Sequence, residues 1–428
     1  MLSPLKTKTN DMKPSKTGLI ILIISLFVFN VSTQNENKEY IELKGRITDR
    51  STRAALPYCN ILVIGHNIAT VSNSEGEYLL KVSKTLENVN VVVKYIGYKN
   101  YVVSVDNLIS LNGNIALEQS AIQLPQIDVI LIDADQVVKT MFDKIAINYP
   151  TQEMYMTAFY RESIRKARNY VSLSEAVVDI HKTGYYSLKD DAAKLYKARK
   201  QVDYTKLDTL VFKLMGGPYN NIYLDIIKYP EIVLTENMFG KFTFTFDKYE
   251  WMDDKLIYVI KFEHNPTRDE ALFNGRLYID ANSVALKSAV FSLNLKNTEE
   301  AMKLFIKKKP LNAKVTPVQA DYRVDYVEKD GKWYYAYSRI ELGMKINWKK
   351  KLFNSTYYAT VEMAVTDRTS ENGSKAIKYK ERLKSNVIIS ETAEGFSDPD
   401  FWGTLNVIEP EKPIETAIKK IQKQLESK

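Results

Sequence analysis

The chain of 428 residues is long enough for two or three domains, and 45% hydrophobic with 26% charged residues is the balance of an ordinary soluble globular protein. A single cysteine, Cys59, excludes an internal disulfide, so the fold relies on its core. The formal charge is +8, and four lysines against one aspartate in the first 33 residues supply +3 of it, a balance too mild to point to nucleic acid.

Residues 1–33 read as a secretory signal peptide. Lys6, Lys8, Lys13 and Lys16 precede an apolar core, Gly18–Val31, which is shorter than the ~20 residues of a membrane-spanning helix. Ser32 and Thr33 offer small residues for cleavage, and no cysteine follows that could carry a lipid. The alternative is an uncleaved inner-membrane signal anchor. The 28 tyrosines favour strands, where the ring packs on the pleat and the hydroxyl reaches water.

From residue 40 to 120, short apolar runs alternate with turn residues at intervals of about ten, the pattern of a small β-sandwich. Strands are expected at Ile41–Asp49, Pro57–Val63, Ile68–Ser72, Glu77–Val82, Val89–Tyr95, Tyr101–Val105 and Asn114–Leu117. Asn73-Ser74-Glu75-Gly76 reads as a polar turn whose glycine takes positive φ. Cys59 falls inside a predicted strand as a small buried hydrophobe.

Four phrases stand in order within this region: Gly45-Arg46-Ile47-Thr48-Asp49, Leu56-Pro57, Thr70 to Tyr78 around Gly76, and Tyr95-Ile96-Gly97-Tyr98. Together they resemble the carboxypeptidase-regulatory-like domain. The resemblance implies a transthyretin-like sandwich, an accessory unit without chemistry of its own, and the envelope of a double-membraned bacterium. In known families that domain precedes TonB-dependent outer-membrane receptors or follows the catalytic domain of zinc carboxypeptidases. No peptidase domain accompanies it here.

Residues 118–132 read as a linker. A second, larger domain is expected over 134–428. It opens with a helix whose apolar face is Ala134, Val137, Val138, Met141, Phe142 and Ile145, capped by Asp133 and ended at Asn148-Tyr149-Pro150. From Glu153 to Asp367 the pattern is mostly long strands with short connections, which predicts a curved antiparallel sheet with a few helices, an α+β domain in a mainly β protein. Asn297 caps a short helix running to Pro310. The phrase Phe273 to Asp280 resembles the strands of LolA/LolB-like envelope proteins, whose fold is an open half-barrel with helices in its concavity. Residues 369–397 read as irregular. Ile414, Ala417, Ile418, Ile421 and Leu425 form a stripe that predicts a C-terminal helix, 413–427, with Trp402 as its core anchor rather than a sugar platform. The larger domain is also similar to an uncharacterised envelope family that pairs this sandwich with the phrase Phe159-Tyr160-Arg161-Glu162.

Chemistry is sparse. His66, His181 and His264 lack zinc-ligand spacing, and the sequence has no P-loop, no G-x-S-x-G and no dinucleotide fingerprint. No cofactor, metal site or catalytic residue is assigned. Asp253-Asp254 and Asp398-Pro399-Asp400 read as turns, and Gly216-Gly217-Pro218 as a tight loop. The basic clusters at Lys307–Lys309 and Lys349–Lys351 read as a solvated rim or a contact with acidic headgroups or polysaccharide. Arg161 and Glu162 read as an ion pair at the sheet surface or, with Phe242, Phe244 and Phe246, as the lining of a ligand groove, with a catalytic role as the remaining alternative. The expectation is an exported protein of the periplasm or outer-membrane periphery, without catalysis. It would bind an apolar envelope ligand or adapt to an outer-membrane partner. The alternative is a hydrolase acting on an envelope polymer.

Overall fold

Two of the four phrases meet in space: the Asp49 carboxylate accepts hydrogen bonds from the Tyr98 hydroxyl (2.8 Å) and from Ser51 N and Thr52 N (2.9 and 2.6 Å), which ties the end of the first strand to the Tyr-Ile-Gly-Tyr turn. The computed structural model describes residues 39–120, 133–167, 169–202, 216–230, 240–252, 255–265, 272–299, 301, 313–349, 354–369, 377–395, 401–412 and 414–416. The expected signal peptide, the clusters Lys307–Lys309 and Lys350-Lys351, and the Asp253-Asp254 and Asp398 to Asp400 turns lie outside these residues. So does the expected C-terminal helix, apart from its start around Ile414.

The first unit comprises β1 (Tyr40–Asp49), β2 (Asn60–Val63), β3 (Ala69–Val71), β4 (Glu77–Ser83), β5 (Asn90–Lys94), β6 (Tyr101–Ser104), α1 (Val105–Ser110) and β7 (Ile115–Leu117). They form a seven-stranded sandwich, as expected, with sheets ordered β4-β1-β7 and β3-β2-β5-β6. Its core holds Leu43, Ile47, Ile61, Tyr78, Leu80, Val91 and Val93, the inward residues of alternating strands. Cys59 is buried but precedes β2 rather than lying within it. The chain turns at Tyr58, whose φ is +60°, and so carries that ring out of the sandwich. The segment after β6, between two expected strands, is helical: Ser104 caps it, its side chain accepting from Asn107 N at 3.2 Å.

Gly76 (φ +76°) and Gly97 (φ +80°) both occupy the left-handed region. Nothing lies within 4 Å of a Cβ added at Gly97. Replacing Gly97 by valine therefore strains only the backbone, and lowers unfolding free energy by about 1–2 kcal/mol in urea titrations.

The larger unit begins with α2 (Ala134–Asp143), capped by Asp133, whose side chain accepts from Gln136 N at 3.0 Å, and α3 (Ile145–Asn148). Next come β8 (Met154–Lys166), β9 (Asn169–Lys182), β10 (Ala192–Val202) and α4 (Pro218–Ile222). A meander follows: β11 (Phe242–Met252), β12 (Lys255–His264), β13 (Phe273–Asp280), β14 (Leu286–Leu293), β15 (Ala313–Lys329), β16 (Lys332–Trp348) and β17 (Ser355–Thr369). Last are α5 (Ile389–Thr392) and the short β18 (Glu394–Gly395).

The strands make one open, curved sheet ordered β11-β12-β13-β14-β15-β16-β17-β8-β9-β10-β18. Its pairs are antiparallel except β10 with β18. The inner face packs against α2, α4 and the residues after α4 in a large aromatic and aliphatic core. The outer face carries a second cluster. There Phe159, Val177, Tyr337 and Ala364 of the sheet meet Val71 and Leu79 of the sandwich and Trp402, Val407 and Ile408 of the segment 401–411. That segment lies between the two units. Thr70 Oγ1 donates to Val407 O (3.2 Å), and Asn406 exchanges hydrogen bonds with the Lys81 backbone (2.7 and 3.1 Å).

Candidate functional site

Successive residues of a strand point to opposite faces. The Phe159-Tyr160-Arg161-Glu162 phrase in β8 therefore splits: Phe159 and Arg161 face outward, Tyr160 and Glu162 inward. Arg161 and Glu162 do not pair with one another, and neither lies at the sheet surface, since both are buried.

Arg161 is the centre of a row of charges that crosses six strands in direct register. The row is Arg323 of β15, Arg339 of β16, Glu362 of β17, Arg161, Glu175 of β9 and Arg199 of β10. Arg339 meets Glu362 at 2.9 Å, Arg161 meets Glu362 at 3.3 Å and Glu175 at 2.6 Å, and Arg199 meets Glu175 at 2.7 Å. Arg161 also donates to the Ile408 carbonyl (2.7 Å), and the Tyr337 hydroxyl donates to Glu362 (3.2 Å). Burial pushes the Glu175 carboxyl up, but Arg161 and Arg199 more than offset it and hold it below the ordinary range.

Aromatic rings from the neighbouring units seal this row. Tyr58 of the sandwich stacks on Tyr337 at 5.8 Å and covers the guanidinium of Arg339 at 4.7 Å. Trp402 stands edge-on to Phe159 at 5.5 Å, with Arg199 over its ring at 5.0 Å. Trp402 is thus a core residue that anchors the irregular 401–411 segment, while the helix expected beyond it lies outside the described residues apart from its start. A small cavity of about 20 Å³, the room of one water, remains between Tyr58 and Tyr95 on one side and Arg323 and Lys287 on the other.

Inside the sheet, Glu162 accepts from the Tyr160 hydroxyl (2.8 Å), with Ser174 opposite it on β9 and the Ser390 backbone of α5 beside it. Among the described residues no cation compensates its burial, which pushes its carboxyl up to about 7.

A second inner cluster centres on Lys182 at the end of β9. Its ammonium lies 2.9 Å from Asp191 and 2.7 Å from Asp225, and all three are buried. Tyr326 donates to Asp225 (2.8 Å), and the Tyr185 ring lies 4.7 Å from the ammonium. Burial pushes Lys182 down, but the two carboxylates more than offset it, so it stands above the ordinary lysine value. The sequence offered little hint of this cluster, whose members come from three separate stretches.

Phe242 and Phe244 are on the inner face of β11, buried against Phe262 at 5.7 and 6.4 Å. Phe246 is half-buried beside Tyr249 (4.8 Å) and Tyr258 (6.4 Å), where a bulge shifts the register. β11 is seven strands from β8, roughly 30 Å along the sheet. The five residues singled out in the sequence therefore fall in three separate places. Among the described residues no cluster of histidine, cysteine and carboxylates has the geometry of a metal site.

Residues 43–129 match the CarboxypepD_reg-like domain family. Among solved structures, a LolA superfamily protein from Nitrosomonas europaea aligns at 9% identity, over 59% of this chain and 98% of its own, with a TM-score of 0.25. A DUF1329 family protein from Desulfovibrio piger aligns at 10% identity over 56% of this chain and 92% of its own, TM-score 0.23. A lipovitellin structure aligns at 8% identity over 54% of this chain and 27% of its own, TM-score 0.27. Similarities of this size transfer no function. No curated protein matches the chain.

Proposed function

We propose that the protein is an exported, non-catalytic module of the bacterial cell envelope whose sandwich holds an envelope protein partner. What carries this is an exposed apolar face on the sandwich. Val102 of β6 is 56% exposed, and Leu111, just beyond α1 and also exposed, lines the same surface hollow. β6 ends its sheet, so among the described residues its outer backbone edge has no strand beside it. An extended segment of a partner can add there by backbone hydrogen bonds, with apolar contact from Val102 and Leu111. The leader sequence and the accessory character of the domain family support the envelope setting.

The non-catalytic part is supported by how the titratable clusters are used up. Lys182 is neutralised between two carboxylates, and Arg161 spends its donors on Glu175, Glu362 and Ile408. A second reading, an apolar ligand held at the β11 edge, draws on the half-buried Phe246, Tyr249 and Tyr258.

A photo-cross-linking side chain at position 102, tested in the native host, is expected to join the chain to one envelope protein. The cross-link disappears in Leu111→Glu. Recovery of the chain in the cytosolic fraction, or no protein cross-link, overturns the adaptor. Native mass spectrometry that finds lipid bound one-to-one installs the ligand carrier in its place.

A further inference from the structure

We propose that the end of the large sheet where β9 turns into β10 docks on an anionic lipid bilayer. Three large apolar or aromatic side chains stand in solvent there: Leu188 fully, Tyr379 at 88% and Tyr186 at 66%. They come from two segments that the register brings to the same end. Residues 383–395 run alongside β10, with Leu383 N bonded to Ala193 O (2.8 Å) at one end and Glu394 paired with Arg199 at the other. The turn before Leu383, which carries Tyr379, therefore sits at the start of β10, where the β9–β10 hairpin closes. The salt bridge from Lys194 to Glu381 (3.3 Å) holds it there.

The hairpin tip is built rather than loose. Lys228 donates to Gly184 O (2.7 Å) and Ser187 O (2.5 Å), and Ser187 N bonds Gly184 O (2.8 Å). Leu188 is thus presented outward on a held loop. The second segment is pinned by buried Ile377, and Arg382 lies 5.9 Å from the Tyr379 ring.

Charge selects the occupant. Among the described residues Lys189, Lys378, Lys380, Arg382 and Lys384 are exposed around the three side chains, against the exposed acids Asp190 and, beside the neighbouring start of β8, Glu153, which meets His181 at 2.9 Å; Glu381 is tied to Lys194. Apolar and tyrosine tips ringed by cations match the water–headgroup boundary of an anionic membrane. There the rings sit among headgroups, the leucine reaches the acyl chains and the lysines meet phosphate. Such a surface goes beyond the sandwich's protein partner and stands without it.

The test uses the full chain with Leu188→Cys labelled by an environment-sensitive thiol dye. Cys59 does not compete, since it is buried and burial pushes its thiol up to about 12. Vesicles containing phosphatidylglycerol are expected to shift the dye emission to the blue, and pure phosphatidylcholine vesicles are not. A dye at Asp106→Cys on the sandwich stays in water. Each cation near an anionic surface contributes about fivefold, so Lys378→Glu with Lys380→Glu weakens the response about 25-fold or more. Four results would overturn the proposal: no shift at 188 on anionic vesicles, an equal shift on phosphatidylcholine, a shift at 106 as well, or salt-sensitive binding of an acidic polymer with no lipid response.

Discussion

Replacing Arg161 by leucine is expected to lower the unfolding free energy by about 3–5 kcal/mol, read as a reduced urea midpoint at unchanged slope. The substitution removes the one cation shared by Glu175 and Glu362 and leaves both carboxylates buried, each with a single arginine. It also frees the Ile408 carbonyl, so the 401–411 segment becomes open to proteases under native conditions. Arg199→Leu serves as the comparison. Arg199 ends the row and is more exposed, and Glu175 keeps Arg161, so its loss costs about 1 kcal/mol. Equal effects of the two substitutions would show that the row does not act through its shared centre.

Glu162→Gln is expected to stabilise the protein at pH 8 and to do little at pH 5. The folded-state value of Glu162 is raised from 4.5 to about 7 by burial. Between those values the folded protein holds a proton that the unfolded chain has lost, so stability falls as pH rises through the window and is flat above it. Removing the carboxylate removes that fall, worth on the order of 3 kcal/mol at pH 8 for a shift of this size. Urea titrations at pH 5 and pH 8 measure it. A variant that loses stability equally at both pH values would mean that Glu162 is an ionised, satisfied group.

The sandwich was legible because its strands are short and period-two, and because its turns need particular residues, as at Gly76 and Gly97. The α2 helix was legible from its 3.6-residue stripe and the Asp133 cap. The outer-face row was not. A strand such as β8 is buried on both sides, so its sequence does not alternate between polar and apolar, and Arg161 looks like an ordinary surface residue. Its partner Glu362 is 201 residues away, and nothing local marks the pair. Tyr58 was hidden for a similar reason: it reads as part of a strand, whereas the positive φ that turns it toward Tyr337 serves a domain absent from its neighbourhood in sequence. The triplet Phe242, Phe244 and Phe246 showed one face of a strand correctly, but periodicity cannot tell a face that meets a ligand from one that meets Phe262.

The place of the 401–411 segment sets an order in time. β8, the first strand of the large sheet, is bordered on one side by β17, about two hundred residues later, and the layer between sheet and sandwich comes later still. While the chain is being made, the sandwich can form early from near neighbours. Arg161 and its flanking carboxylates must wait, uncovered, for Trp402 and Ile408 to arrive. Closing such distant contacts is slow, and the waiting surfaces are open to wrong partners. The vulnerable period of this protein is therefore the interval between the emergence of β8 and the seating of Ile408, the stage at which a chaperone or a protease would find it.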